Sequence, residues 1–256
     1  MHKSLTQEPK VFALIIGTEI LNRRRVDRHF DFVTKLLTEY GRKLSGSFII
    51  EDDPALIIQT LKFLASQPNS IIFSFGGIGS TPDDYTRKCA AIALRDGNLY
   101  THKAIKETII EKLGERAYPH AINMAEVPKG AKAIENDFNG MPAFSLDNRY
   151  FFVPGFPEMS HPMLSKIAAE LFITKRHYYR HTLTALCKES EIIDVMNQMP
   201  KGVEFSSLPK HYSDGWRVSI SVASHDEELA KSAFEMYVEH LEKQKIHYSL
   251  VDESNA

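Results

Sequence analysis

Short apolar runs alternate with amphipathic stretches along the first 170 residues of the chain. The runs are typical of buried parallel strands, and they cover Val11–Ile16, Phe48–Ile50 and Ser70–Phe75. Between the runs, apolar side chains recur at helical spacing over residues 30–40 and residues 56–64. Strands and helices that alternate in this way predict βαβ units. The fold class predicted for this part is therefore α/β, a doubly wound and mostly parallel sheet with helices on both faces in three layers.

The pattern changes after residue 130. Residues 132–153 contain short strands and the turn signals Asn139-Gly140 and Asp147-Asn148, which predict an antiparallel addition beside the sheet. A domain boundary is predicted near Lys175, so that the domains are residues 1–174 and residues 175–256.

The second domain is predicted to be a small α+β domain, with helices on one face of an antiparallel sheet. Its predicted elements are a strand at 178–186, a helix at 189–199, strands at 203–208 and 216–223, a helix at 226–242 and a strand at 247–251.

Composition places the chain among ordinary globular proteins. It has 256 residues, of which 43% are hydrophobic and 25% charged, and this excludes a disordered, collagen-like or coiled-coil chain. The early apolar run Val11–Ile16 is far shorter than the ~20 residues of a spanning helix, and the charged residues around it do not fit a signal peptide. Two cysteines are too few for a disulfide framework. We expect a cytoplasmic protein.

Charge argues against two classes of partner. The net charge is −2, and residues 173–256 contain no basic stripe. Nucleic acids and anionic membranes attract proteins through positive charge, so neither is expected as a partner.

A glycine-rich loop, Gly76-Gly77-Ile78-Gly79-Ser80-Thr81, joins the strand that ends at Phe75 to a helix predicted over Asp84–Arg95. Such loops bind phosphates in open α/β sheets, because glycines let the backbone approach and the helix N–H groups face the anion. The loop is neither a Walker A sequence nor the Gly-x-Gly-x-x-Gly dinucleotide fingerprint. The sequence therefore predicts a phosphate site of another kind.

Two carboxylates follow this loop, Asp83 and Asp84. With Thr81 as the N-cap and Pro82 as the first helical residue, both would lie in the first helical turn, where one is enough for capping. Two carboxylates beside a phosphate repel it unless a divalent cation bridges them, as Mg²⁺ does. The pair favours a metal and phosphate site, with pure capping as the alternative.

Other acidic residues follow the first two strands, in Gly17-Thr18-Glu19 and Glu51-Asp52-Asp53. Parallel strands deliver these turns to the edge of the sheet that carries the glycine loop. Glu19 and Asp52 are therefore predicted to converge with Asp83 and Asp84, although each residue alone is typical of a helix start.

Two further segments have two interpretations each. The turn Pro154-Gly155 contacts a ligand or only connects a strand to a helix. The arginines within residues 23–28 form a solvated helix start or receive phosphate oxygens. Among the remaining candidates, His161 and His211 are interpreted as surface or packing residues and Cys89 as a small core residue.

Four motifs together resemble one protein family: Gly17-Thr18-Glu19-Ile20-Leu21, the run from Gly76 to Arg87, Asn123-Met124 with Val127–Ala131, and Tyr150–Pro157. In order and spacing over residues 10–172 they are similar to the amino-terminal domain of the competence/damage-inducible protein A (CinA) family. That domain is a molybdopterin-binding domain of the MoaB/MogA type. The tail after it looks like the small α+β domain that follows in that family.

The resemblance implies an activity and a set of site residues. The implied activity is that of a metal-dependent nucleotide pyrophosphatase acting on ADP-ribose or a related dinucleotide, with Mg²⁺, Mn²⁺ or Co²⁺ as the cofactor. Asp83, Asp84 and Asp52 would be the catalytic and metal-binding acids. The residues implied to bind a nucleotide or pterin phosphate are Gly17, Thr18, Glu19, Gly76, Gly77, Ile78, Gly79, Ser80, Thr81, Pro154 and Gly155.

Two alternatives remain open. The first is a molybdopterin-binding or adenylyltransferase-like protein of molybdenum cofactor biosynthesis, with molybdopterin as the ligand, and the second is a nucleotide-binding module that senses without cutting. The resemblance also implies a homo-oligomer, a dimer or trimer. Longer relatives carry a deamidase domain for which this chain has no room, so deamidase activity is not expected.

The chain departs from the family pattern near the predicted site. Ser80 replaces a usual proline, and Arg23, Asp27 and His29 replace a usual glycine and two asparagines. These departures bear on the identity of the substrate more than on the fold.

Overall fold

The computed structural model describes residues 8–251, which divide into two compact units between Thr174 and Lys175. The ends of the two predicted domains, residues 1–7 and 252–256, lie outside the described residues. Among the described residues, no helix has the length and apolar character that a membrane crossing requires.

The first unit alternates strands and helices along most of its length. In chain order its elements are β1 Val11–Ile16, α1 Thr18–Leu21, α2 His29–Glu39, β2 Leu44–Ile50, α3 Pro54–Ser66, β3 Ile71–Phe75, α4 Thr86–Leu94, β4 Leu99–Thr101, α5 Lys103–Leu113, β5 Glu126–Pro128, β6 Lys132–Ile134, β7 Ala143–Leu146, β8 Tyr150–Val153 and α6 Pro157–Leu171.

Six of these strands form one sheet in the order β2-β1-β3-β8-β7-β6. Strands β2, β1, β3 and β8 run parallel to one another, whereas β7 is antiparallel to both β8 and β6. Every residue of β1 and β3 is buried, because both strands have sheet neighbours on each side and helices over the faces. The predicted α/β class and mostly parallel sheet are confirmed.

Helices cover the sheet in pairs. Helix α2 packs against α6, and α3 packs against α4. Helix α3 begins where the sequence predicts, since Asp53 accepts a hydrogen bond from the Leu56 N–H at 2.7 Å and Pro54 occupies the first turn. The apolar faces of these helices join the strands in one continuous core.

Two predictions for this unit were wrong in detail. Residues 132–153 contain the predicted antiparallel pairs, β6 with β7 and β7 with β8, but they lie within the main sheet and not beside it, because β8 pairs parallel with β3. Helix α4 begins at Thr86 instead of Asp84, because residues 81–84 form a turn of their own. The structure also contains a two-stranded ribbon of β4 and β5 that the sequence pattern did not predict.

The second unit is a four-stranded antiparallel sheet with helices. Its elements are β9 Tyr179–Ala185, α7 Ile193–Met196, β10 Glu204–Tyr212, β11 Gly215–Ser224, α8 Glu227–Lys243 and β12 Tyr248–Val251. The strand order is β10-β11-β9-β12, and α8 packs on β9 and β11. This confirms the predicted α+β class.

Two elements of the second unit differ from the prediction. The predicted helix over 189–199 is only a short 3₁₀ turn followed by α7. Strand β10 continues beyond residue 208 through Pro209, which is possible because β10 is an edge strand and needs no hydrogen bond from that residue on its outer side.

Candidate functional site

Three strand ends meet at the carboxyl edge of the main sheet. The Gly76 N–H donates to the Val153 carbonyl at 3.0 Å, which joins the turn after β3 to the turn after β8. Gly76 has a φ of 94°, and a Cβ on it would overlap the Ile16 carbonyl oxygen at the end of β1. A Cβ on Gly155 would lie 3.3 Å from the Gly76 Cα. The backbones therefore approach so closely that only glycine fits at position 76.

The glycine loop folds back onto the start of α4. The Thr86 N–H donates to the Gly77 carbonyl and the Thr86 hydroxyl donates to the Gly76 carbonyl, both at 2.9 Å. Thr86 is fully buried, and a Cβ on Gly77 would overlap its hydroxyl oxygen. The first N–H of α4 thus binds the loop itself and does not face an anion, contrary to the expectation for this helix.

Four successive backbone N–H groups of the loop remain for a ligand. They belong to Gly77, Ile78, Gly79 and Ser80, and within residues 8–251 none of them donates to a protein acceptor. Ile78 is buried in the core cluster, and the other three residues are half-buried. Backbone N–H groups in such positions are nearly always paired, so an anion is a natural partner for them.

The two carboxylates after the loop have different surroundings. The Asp84 Oδ2 accepts hydrogen bonds from the Thr81 N–H at 2.8 Å and from the Thr81 hydroxyl at 2.6 Å. Asp83 is exposed, and its pKa is lowered by the Thr81 side chain and by its own backbone amide. Both residues precede α4, so neither caps it. Asp84 instead closes the turn that it shares with Thr81, while Asp83 presents an ionised carboxylate to solvent.

Asp52 is attached to a different turn. Its Oδ2 accepts hydrogen bonds from the Thr18 N–H at 2.8 Å and from the Thr18 hydroxyl at 2.9 Å, which joins the turn after β2 to the start of α1. Because β1 lies between β2 and β3, the turns after those two strands are separated by about two strand spacings, or roughly 10 Å.

The acids share one edge of the sheet without forming a metal-binding cluster. In the described part of the chain, no three histidine, cysteine, aspartate or glutamate side chains lie close enough together to hold a metal ion. The predicted convergence of Glu19 and Asp52 on Asp83 and Asp84 is therefore not seen. Protein side chains alone do not fit a resident metal here, and metal binding by Asp83, Asp84 and Asp52 stays a prediction.

Glu19 lies over the first turn and contacts the arginine cluster. Its side chain folds towards Gly17, where an added Cβ would be 2.9 Å from the carboxylate, and Arg25 lies 3.9 Å from it. The Arg25 guanidinium also lies over the exposed Phe156 ring, 4.9 Å from its centre. Arg28 extends to the exposed Glu158 at 3.4 Å. These contacts place part of the arginine cluster beside the Pro154-Gly155 turn.

Arg87 is a site residue to which sequence reasoning gave no role. Arg87 is buried, only 8% exposed, and within residues 8–251 its guanidinium donates to three backbone carbonyls and to no carboxylate: Gly79 at 2.6 Å, Glu126 at 3.1 Å and Asn123. Burial lowers the pKa of Arg87, and nearby Asp84 opposes that shift. A signal in the sequence could have revealed this role: Arg87 is a charged residue on the inner face of α4, four positions before the buried Ala91. A buried cation thus fixes the carbonyl of Gly79 from behind the loop.

A family model described as a probable molybdopterin binding domain matches residues 12–173. Among curated proteins, a protein of Pyrococcus furiosus is 27% identical over 239 residues, which are 87% of this chain and 93% of that protein. A CinA-like protein of Fusobacterium nucleatum is 29% identical over 159 residues, which are 61% of this chain but only 39% of that protein.

One solved structure is similar in both fold and sequence. The crystal structure of the protein CinA from Thermoplasma acidophilum, described as of unknown function, superposes with a TM-score of 0.57. It is 25% identical and covers 65% of this chain and 99% of that one.

Proposed function

We propose a ligand for this chain, which belongs to the family of probable molybdopterin binding domains. Its first unit binds a phosphorylated pterin of the molybdopterin type through its glycine loop. The membership confirms the resemblance to the CinA family and the molybdopterin-binding type of the α/β fold. The proposal adds the identity of the ligand to this family membership.

The observation that carries the proposal is the row of four N–H groups from Gly77 to Ser80 that lack a protein acceptor among the described residues. A phosphate group supplies several strong acceptor oxygens, whereas an apolar ligand would leave the four donors unpaired. The buried Arg87 guanidinium adds positive charge behind the same loop. The terminal phosphate of the ligand is therefore expected against residues 77–80.

The ring of the ligand would extend towards the turn after β8. Arg25 and Phe156 provide a guanidinium and an exposed aromatic face there, and both are suited to stacking on a flat heterocycle. Glu19 could accept hydrogen bonds from amino groups of the ring. A nucleotide shares the features of a phosphate and a flat base, and is the competing ligand.

The test is an NMR titration of the ¹⁵N-labelled full chain with molybdopterin, with ADP-ribose, and with the dephosphorylated pterin as a matched control. We expect molybdopterin to shift the amide signals of Gly77, Ile78 and Gly79 most, and the dephosphorylated pterin to bind at least ~10-fold more weakly. Shifts confined to other regions, or equal affinity for the dephosphorylated pterin, would overturn the proposal. A stronger effect of ADP-ribose would favour a nucleotide as the ligand.

A second candidate is hydrolysis of a nucleotide pyrophosphate. The observation that favours it is the exposed Asp83 carboxylate, which follows the glycine loop and is ionised at neutral pH. It is tested by incubating ADP-ribose with the protein and Mg²⁺, Mn²⁺ or Co²⁺, with Asp83→Asn as the matched variant. Turnover that Asp83→Asn abolishes would establish it, and no turnover with any of the three metals would exclude it for this substrate.

A further inference from the structure

Two histidines lie directly beneath the candidate site, on the helices that flank it. His29 begins α2 and is 3% exposed, and His161 lies on α6. The His29 Nδ1 is 3.2 Å from the His161 Nε2, and the His29 Nε2 is 3.3 Å from the Gly155 carbonyl oxygen. A surface or packing role was predicted for His161; the structure packs it on Phe32 and also makes it part of a hydrogen-bonded chain that ends at the turn after β8.

Both rings are held in place by stacking. The His29 ring stacks on Phe75 with 4.1 Å between ring centres, and the His161 ring stacks on Phe32 at 3.7 Å with an angle of 2° between the planes. Phe75 is the last residue of β3, directly before Gly76. His29 thus contacts the strand that leads into the glycine loop and, through Gly155, the turn that packs against that loop.

The partners determine the direction of each hydrogen bond. A carbonyl oxygen can only accept, so the His29 Nε2 carries a hydrogen and donates to Gly155. In a neutral imidazole the other nitrogen must then accept, so the His29 Nδ1 accepts from the His161 Nε2–H. The chain therefore runs from His161 through His29 to the Gly155 carbonyl, and both rings are neutral in it.

We propose that His161 and His29 are positioning residues that hold the Gly155 turn against Gly76, and so fix the spacing between the glycine loop and the Arg25–Phe156 side of the ligand site. The proposal rests on the proposed function only for the consequence for ligand binding. Its structural part concerns two turns that are joined by the hydrogen bond from the Gly76 N–H to the Val153 carbonyl.

Burial favours the neutral form of the pair, and the charged groups around it act in both directions. Arg25 and Arg28 from the segment before α2 repel a second positive charge, whereas Asp27 from that segment and Glu158 from α6 attract one. Phe75 and Phe32 contribute uncharged faces. Burial is the largest influence on both pKa values: it lowers that of His29, and lowers that of His161 to about 4. The chain is therefore intact at neutral pH.

The first experiment needs no ligand. In the wild-type chain, imidazole ¹⁵N spectra at pH 7.5 should show His29 protonated at Nε2 and unprotonated at Nδ1. His161→Phe keeps a ring to stack on Phe32 but removes the donor, and should raise the pKa of His29 towards 6.5. Hydrogen exchange of the Gly76 N–H should become about 5-fold faster in this variant, as expected for the loss of one hydrogen bond. His120→Phe, at an exposed position, is the control and should change neither.

The second experiment measures ADP-ribose binding against pH. His161→Phe should weaken binding about 5-fold at pH 7.5 and move the acid limb of the affinity profile to higher pH, whereas His161→Gln, which can still donate an N–H, should stay within about twofold of wild type. A purely structural role would instead lower the affinity by the same factor at every pH and in both variants.

The outcomes separate the two proposals. If ADP-ribose does not bind but the ring spectra and Gly76 exchange behave as expected, the positioning role stands and the ligand proposal fails for nucleotides. The positioning role is overturned if His29 is protonated at Nδ1, or if the Gly76 exchange rate in His161→Phe equals that of wild type.

Discussion

Replacement of Gly77 by alanine tests whether close packing of the glycine loop on α4 is what the site requires. Gly77 has a φ of 67°, a left-handed conformation that disfavours any residue with a side chain. The added Cβ would also lie too close to the Thr86 hydroxyl oxygen for a real contact. The Thr86 side chain is buried and donates to the Gly76 carbonyl at 2.9 Å, so it cannot move without breaking that hydrogen bond.

Gly130 offers a matched control. It has a similar φ of 77°, but a Cβ on it would have no atom within 4 Å. Gly130→Ala therefore introduces the backbone strain alone, about 1 kcal/mol. Gly77→Ala adds a displaced hydroxyl and a buried carbonyl without its donor, a further ~2 kcal/mol. We expect total losses of about 3 kcal/mol for Gly77→Ala and about 1 kcal/mol for Gly130→Ala, both small enough for the chain to remain folded.

The free energy of unfolding should be measured on the first unit. Hydrogen exchange of the β1 and β3 amides reports it directly, whereas the single tryptophan, Trp216, lies in the second unit and serves as an internal reference. ADP-ribose or molybdopterin binding should weaken at least ~10-fold in Gly77→Ala and stay unchanged in Gly130→Ala. Equal stability losses in the two variants would show that the contact with Thr86 does not determine this position.

Three further predictions concern buried groups of the first unit. Arg87→Met should release the Gly79 carbonyl and weaken phosphate-ligand binding about 10-fold, as measured by calorimetry. Arg87→Lys should restore the affinity only in part, because a single ammonium group replaces a planar fork of donors. Unchanged affinity in both variants would exclude a role for the guanidinium. The pKa values of His29 and His161 are lowered on folding, so their contribution to stability is present above pH 6.5 and is lost as the pH falls towards 4. Urea unfolding at pH 7.5 and pH 5 should show this loss of stability, and the loss should be smaller in His161→Phe. An equal loss in His161→Phe would contradict the assignment of the pH dependence to this pair. Burial raises the pKa of Cys89 to about 11, so iodoacetamide at pH 8 should label it only after unfolding, as read by mass spectrometry, and rapid labelling of the folded chain would contradict its burial.

Sequence patterns predicted the architecture well because, in this fold, the local spacing of apolar residues shows which faces of each strand and helix are buried. The uniformly apolar segment Val11–Ile16 has no polar face, so it could only be a strand covered on both sides. Asp53 with Pro54 marks a helix start by chemistry that acts within a few residues. The same patterns erred for residues 132–153, because whether short strands join a sheet depends on partners far along the chain. Strand β8 pairs with β3, about eighty residues earlier.

For the site, the sequence by itself predicted the glycine loop as the candidate phosphate site, since a strand, glycines and a helix in succession are a local signal. It also gave the common edge of the sheet, because parallel strands deliver their ends together. Only the tertiary structure decided which side chains cooperate there. The position of β1 between β2 and β3 separates Asp52 from Asp83, the turn at Thr81 engages Asp84, and the packing of α2 on α6 brings His29 and His161 into contact. Those distances depend on strand order and helix packing, which arise from contacts between residues remote in the chain, and no local pattern of residues carries them.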